Sequence, residues 1–179
     1  MSHPPIAGQF LVATPIIAAP PFARSVVLML EHNESGAIGL VLNSQTDLLV
    51  SEHLPGMQGH LSDPPHVFVG GPVSSDTAIT LGRGHGVEFL RPSALPGIGI
   101  VDIETGIDSL EAVRVFAGYA GWDPTQLEAE IEEGAWWVLF PDLDEIFTSD
   151  VEGMWKRTVD RGPGTLPLYA TYPNDPSTN

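Results

Sequence analysis

The chain has no cysteine. That excludes a disulfide framework and every thiolate metal site. Basic residues are few: seven Lys and Arg stand against 23 Asp and Glu, for a formal charge of −16. Binding to a polyanion depends on cations that neutralise phosphates and release counterions. The nearest thing to a basic cluster is Lys156-Arg157 with Arg161 a turn later, which disfavours a basic groove reader of DNA and adhesion to an anionic membrane surface. Long apolar runs are missing too. The stretch from Phe10 to Phe22 is interrupted by Pro15, Pro20 and Pro21, and the opening Met1-Ser-His-Pro-Pro has no basic region. Neither a signal peptide nor a membrane span is expected, and a cysteine-free chain of this kind suits the reducing cytoplasm.

What is present fits one folded domain. With 179 residues, 42% of them hydrophobic, the chain is long enough for one full core and short for two. A single domain is expected over residues 1–162, followed by a Pro-rich tail over 163–179, partly disordered at Pro173–Asn179. The charge is unevenly spread. Positions 1–100 hold seven acidic and three basic residues, whereas positions 123–152 hold ten acidic residues and no basic one. One face is therefore strongly negative. Such a face is solvated, or attracts a basic partner.

The first half reads as strands at Gln9–Ala13, Ser25–Leu30, Ala37–Asn43, His66–Val69 and Thr77–Leu81. Their near-continuous apolar character predicts burial on both faces. Thr46–Leu54 is expected as a short helix, and Met57–Pro65 as a loop. Val87–Leu90, Gly97–Ile103 and Arg114–Phe116 are further strands, with a short helix near Ile107–Glu111. In the second half Asp123-Pro-Thr-Gln126 carries a capping residue, proline at the first helical position and a glutamine placed to complete the cap. That helix should stop at Gly134. A strand over Ala135–Phe140 follows, placing Trp136 and Trp137 on opposite faces, so that one of them is exposed or covered by a subunit. Two helices open at Asp142 and Ser149, and the last buries Val151, Met154, Trp155, Thr158 and Val159.

Several segments in order resemble the YqgE/AlgH family of bacteria. They are Gly8-Gln-Phe-Leu-Val-Ala-Thr-Pro15, Phe22-Ala-Arg-Ser-Val-Val27 with Glu31-His32, Gly36-Ala-Ile-Gly-Leu-Val-Leu-Asn43, Gly70-Gly-Pro-Val73, Gly118-Tyr-Ala-Gly-Trp122, Gln126-Leu-Glu-Ala-Glu130 and Trp136. The resemblance implies an α+β fold in which a mixed, bifurcated, barrel-like sheet carries helices on its outside. Family members are often labelled transcriptional regulators, without an established biochemical activity. Two departures stand out. Members tend to carry Leu-His where this chain has Leu81-Gly82, with His85 nearby in a glycine-rich loop, and Pro20-Pro21 replaces a usual acidic residue.

The candidate ligand-binding residues are Arg24, Glu31, His32 and Asn43, polar groups embedded in the apolar first half, with Gly70 and Gly71. The four side chains suit a small anion or acid–base work; equally, they satisfy backbone groups around the strand 2–strand 3 hairpin. Gly70-Gly-Pro-Val73 offers backbone amides to an anion, or is simply a turn. No cofactor fingerprint occurs: Gly82, Gly84 and Gly86 lack the dinucleotide spacing, no Lys-Ser/Thr follows the glycine pair, and the histidines show no metal spacing. No catalytic residue is assigned. Three functions are thereby set against one another: a non-enzymatic binding or regulatory protein with a protein partner and room for self-association, a small-molecule binder or enzyme at the polar hairpin site, and direct DNA binding.

Overall fold

One long strand organises the molecule. In the computed structural model, which describes residues 6–104 and 106–173, strand β9 (Ala112–Trp122) runs for 11 residues and is paired along both edges. The opening Met1–Pro5 and nearly all of the expected disordered tail, 174–179, lie outside the described residues. On one edge, β9 pairs antiparallel with β6 (Val73–Arg83) through Val73↔Tyr119 and Ala78↔Ala117 to Arg83↔Ala112. On the other it pairs first in parallel with β5 (His66–Val69), at Phe68↔Phe116 and Val69↔Ala117. Further along that edge it pairs antiparallel with β3 (Gly36–Val41), at Gly39↔Ala120 to Ala37↔Trp122. The sheet is thus mixed, and it forks where β5 gives way to β3.

Two arms leave β9. The first continues from β3 to β2 (Val26–Asn33), β1 (Phe10–Ala13) and β10 (Trp136–Leu139). The second runs from β6 to β8 (Ile98–Ile100) and β7 (Arg91–Pro92), while β4 (Gln45–Leu49) borders β5. The sheet does not close into a barrel: β10 and β7 end the ladder. The first arm is buried on both faces, as its sequence predicts. Phe10, Val12, Val26, Leu28 and Leu40 face a core shared with Met154, Trp155 and Val159 of helix α4 (Met154–Asp160). Their neighbours Leu11, Ala13, Val27, Met29 and Val41 face a second core under α2 (Gln126–Glu132), around Leu127, Trp122 and Trp136. Strand alternation alone sorts these residues into two layers. A third core, around Val50, Met57, Val113 and Val115, lies by the second arm.

The fork is possible because of glycine. Gly70 N–H donates to Ala117 O at 2.9 Å and its carbonyl accepts from Val41 N–H at 2.8 Å, so it sits on the β5/β3 edge. Val73 already pairs on the β6 edge. The chain therefore crosses over β9 within Gly71 and Pro72. A Cβ at Gly71 would lie 2.1 Å from the Tyr119 carbonyl carbon, and one at Gly70 would lie 2.2 Å from Gly118 O. Gly118 itself has φ +68, a conformation that disfavours any side chain.

Arg114 anchors the second arm. It is 1% exposed, lies over the Phe68 ring at 4.5 Å, and donates to Asp63 O at 2.6 Å and Thr148 O at 3.0 Å. It ties the loop before β5 to the segment after α3 (Leu143–Ile146). Burial pulls its pKa down to about 10, with Asp63 opposing the shift.

Several elements differ from expectation for local reasons. Residues 45–49 form β4 rather than a helix, because Gln45↔Phe68 and Leu49↔His66 pairing draws them onto β5 and Thr46 donates its hydroxyl to Val67 O at 2.7 Å. Only Val50–His53 turns into a helix, α1. Val87–Leu90 is not a strand, and Ile107–Leu110 makes one turn rather than a helix. Helix α2 starts at Gln126. Asp123 N–H still donates to Gln126 Oε1 at 3.0 Å, one half of the expected reciprocal cap, but Thr125 at φ 67 delays the helix. α3 begins as predicted, with Asp142 accepting from Asp144 N–H at 3.0 Å, and all five expected core residues around α4 are buried. Trp136 and Trp137 do face opposite ways. Trp136 is buried, and Trp137 packs on Tyr169, 5.1 Å between ring centroids, from a 3-10 helix at Leu166–Thr171. The chain's own C-terminal segment covers it.

Gly71→Ala should abolish cooperative folding, whereas Gly121→Ala, whose Cβ would meet nothing closer than 3.6 Å, should melt within a few degrees of wild type; circular dichroism melts of the two decide it. Arg114→Met should cost about 3 kcal/mol, since it strands two buried carbonyls, and lower Tm by roughly 6–12 °C. The pH dependence follows from the depressed pKa. Above pH about 10, where the folded guanidinium gives up its proton and the unfolded one still holds it, the unfolded chain holds more protons, so stability from this group rises with pH. Below that pH both states are charged, and urea titrations at mildly acid and mildly alkaline pH should return the same loss for Arg114→Met.

Candidate functional site

The six candidate residues occupy separate places. Asn43 clamps the turn before β2: its Oδ1 accepts from Val26 N–H and its Nδ2 donates to Arg24 O, both at 2.9 Å. The Arg24 guanidinium points elsewhere, 4.4 Å over the Trp155 ring and donating to Tyr172 O at 2.5 Å. Burial lowers its pKa. His32 faces α2. Its Nδ1 accepts from Ile6 N–H at 3.3 Å, so its proton sits on Nε2, which donates to Glu128 Oε1 at 2.8 Å. Glu31, one residue away on the strand, faces the opposite side and pairs with Arg91 at 3.0 Å. Gly70 and Gly71 lie in the fork with their backbones packed on β9. Asn43 and Arg24 are brought together through the backbone only; the four side chains do not converge.

A convergent polar centre that sequence reading passed over lies under α2. The Glu130 carboxylate accepts three N–H groups: Trp122 Nε1 at 2.9 Å and Trp136 Nε1 at 2.8 Å on one oxygen, and Gln126 Nε2 at 2.9 Å on the other. Phe22 packs against both indoles, 6.2 and 5.7 Å between centroids. The signal was the set Trp122, Gln126, Glu130 and Trp136 within one short stretch. Those residues were legible as a family pattern and not as one contact. They bolt α2 to the first arm.

The two arms enclose a cleft. The arms curl towards each other until β2 and β7 face across a gap that no backbone ladder closes. Side chains bridge it, through the Glu31–Arg91 ion pair. Behind the pair lies a cavity of about 580 Å³. Leu30, Ile38, Ile79, Ile100, Ile103 and Tyr119 are among the residues of its wall, which is more apolar than polar. Ser93, which also lines it, has its hydroxyl 2.7 Å from Ile98 O and 3.2 Å from Leu95 O, so its proton is committed to a carbonyl. Of the candidate residues, Glu31 alone lines this cavity. Sequence reading missed the rest because their neighbours are set by the curl of the sheet, which has no local signature.

Cations are largely used internally. Arg157 makes a bidentate pair with the buried Glu145, at 2.8 Å twice, and that hydrogen bonding raises its pKa. Arg161 pairs with Asp142 and with Glu145. Arg83 pairs with Glu111, and Arg114 is buried. His85, in the departing glycine-rich loop, is exposed and meets Glu111 at 2.6 Å. Among the described residues no group of three or more His, Asp and Glu is placed to hold a metal ion, and no helix is long and apolar enough to cross a membrane.

A family model described as AlgH-like matches residues 10–166. The chain is 40% identical over 184 residues to a UPF0301 protein of Streptomyces avermitilis, covering 97% of this chain and 95% of that one. It is 39% identical over 189 residues to a UPF0301 protein of Thermobifida fusca, covering 97% and 96%. Among solved structures, protein DIP2367 from Corynebacterium diphtheriae superposes with a TM-score of 0.85 at 29% identity, covering 96% of this chain and 94% of that one. The solution structure of the AlgH protein from Pseudomonas aeruginosa gives 0.72 at 28% identity, covering 97% of each chain.

The two carboxylate contacts should differ in weight. Glu130→Ala removes the acceptor of two indole N–H groups and should cost about 2–4 kcal/mol with a red shift of tryptophan emission. Glu31→Gln breaks a pair whose partners are 45% and 68% exposed and should cost under about 1 kcal/mol. Equal losses in chemical denaturation would contradict this division.

Proposed function

The chain belongs to the AlgH-like family, and on that premise we propose that it is a binding protein rather than an enzyme, with the cleft between the two arms of the sheet as its working surface. The apolar cavity behind the Glu31–Arg91 pair carries the reading. Its size is that of a ligand or anchor pocket, its wall is more apolar than polar, and Glu31, Arg91, Ser93 and Asp102 on that wall are engaged in hydrogen bonds or ion pairs. The alternative, a small-molecule or anion site made by Arg24, Glu31, His32 and Asn43, has less support, because those side chains point to separate parts of the fold.

A regulatory role, on this reading, is indirect. A DNA-contacting surface needs cations facing outward, while the Lys156–Arg161 region has both of its arginines neutralised by Glu145, Asp142 and Asp150. The partner is a protein, met in the reducing cytoplasm that the cysteine-free composition suits. Native mass spectrometry reports the oligomeric state and any retained ligand. The decisive comparison uses Ala78→Trp, an exposed cleft position where the indole fills the cavity without disturbing a core. Wild type should capture a specific partner from its native lysate, and Ala78→Trp, folded and melting within a few degrees of wild type, should lose it. Identical capture by both proteins would overturn the reading.

A further inference from the structure

The cleft does not stand alone. A second depression, of about 320 Å³, shares Glu31, Ile38 and Tyr119 with it and extends to Asp123. A third, of about 480 Å³, shares Leu90, Val101 and Asp102 and extends to Glu88 and Gly106. The shared residues place the three depressions in a row, here called the groove, from the β2–β3 hairpin past the arms to the loop before β7. Carboxylates are spaced along it: Asp123 at one end, Glu31 and Asp102 in the middle, Glu88 at the other end. Among the described residues, Arg91 is the one Lys or Arg that lines any of the three depressions.

Resting on the binding-protein reading above, we infer that the groove takes an extended segment of a partner protein in which apolar side chains alternate with lysine or arginine. Three linked depressions suit a linear ligand better than one drug-sized molecule. In an extended chain alternate side chains point to opposite faces, so one row reaches the apolar floor of Ile38, Ile79 and Ile100. The other row, carried along the rims, meets carboxylates at both ends and in the middle. The Glu31–Arg91 pair is the exchange point. Both partners are largely solvated, so the pair holds weakly. An incoming cation replaces Arg91 on Glu31, and Arg91 swings out to water. The net charge of −16 steers such a segment towards the groove.

The test uses three short fluorescein-labelled peptides in which valine alternates with lysine, glutamate or serine. Anisotropy titrations at low and several-fold higher salt are paired with amide chemical-shift mapping on the full chain. The lysine peptide should bind roughly tenfold more tightly than the serine peptide at low salt, lose most of that margin at high salt, and shift residues lining the groove. Glu31→Gln should weaken it several-fold, with Glu152→Gln, a carboxylate outside the groove, leaving it unchanged. Arg91→Ala should tighten it, while Lys156→Ala, the same charge change away from the groove, should not. Equal binding of lysine and serine peptides in the groove overturns the charge class and leaves the cleft reading standing. Shifts confined to the acidic surface of α2 and α3 overturn the groove. Absence of peptide binding, with Ala78→Trp still losing its captured partner, overturns this inference alone; unchanged capture by Ala78→Trp overturns the reading beneath it.

Discussion

Everything in this fold depends on a crossing of backbones without side chains between them. The chain leaves β5 on one edge of β9 and joins β6 on the other, and the distance is covered in Gly71 and Pro72. Two peptide backbones in near contact leave no room for a Cβ, as the 2.1 Å approach at Gly71 shows. Once the crossing is made, β9 is committed to neighbours on both edges. The sheet then forks, because β5 and β3 must share the edge that β6 does not hold. The cleft is the geometric consequence: two arms diverging from one strand and twisting in the same hand curl towards each other. Gly118, at φ +68 beneath the crossing, allows the strand to accommodate it.

The two arms are held by different physics. The first is a sheet between two apolar layers, and burial of alternating Val, Leu and Phe stabilises it without help from charge. Polar contacts there are local fastenings, as with Glu130 gathering two indoles under α2. Beyond β6 the second arm has only short strands, its core is smaller, and there a buried arginine substitutes for apolar bulk. Arg114 satisfies carbonyls that the loop at Asp63 and the turn at Thr148 would otherwise bury unpaired. Removing a cation from water is costly, as its lowered pKa records. The gain is that loops distant in sequence are fixed relative to β9.

Local order was legible in the sequence, and global curvature was not. The strands of the first half announced themselves by composition, the helix at Asp142 by its cap, and the buried side of α4 by its period, because each signal is contained within a few residues. Thr46–Leu54 misled for the converse reason: its conformation is decided by β5, some twenty residues away, which the local pattern does not contain. The same holds for the site. Arg24, Glu31, His32 and Asn43 were singled out as polar groups among apolar neighbours, which correctly marks residues with partners. It does not say whether the partners are each other. Asn43 holds a backbone turn, His32 reaches a helix nearly a hundred residues later, and Glu31 alone looks into the cleft. One residue of difference on a strand reverses the face, so that adjacent Glu31 and His32 serve opposite sides of the sheet.

The residues that reveal the family are for the most part the ones that build it. Gly70, Gly71 and Gly118 make the crossing; Trp122, Gln126, Glu130 and Trp136 fasten α2; Asn43 sets the entry to β2. A pattern of this kind reports the fold and is silent on what the fold binds. On the proposed binding role, specificity resides in positions the architecture leaves free, the groove's rims among them. Its floor is apolar because the arms that make it are, whereas Glu31, Glu88 and Asp123 are not demanded by any core. Glu31 faces Arg91 across a gap that backbone pairing could have closed. An ion pair at that place leaves the cleft openable, since two solvated charges can exchange partners at little cost where a row of ladder hydrogen bonds could not.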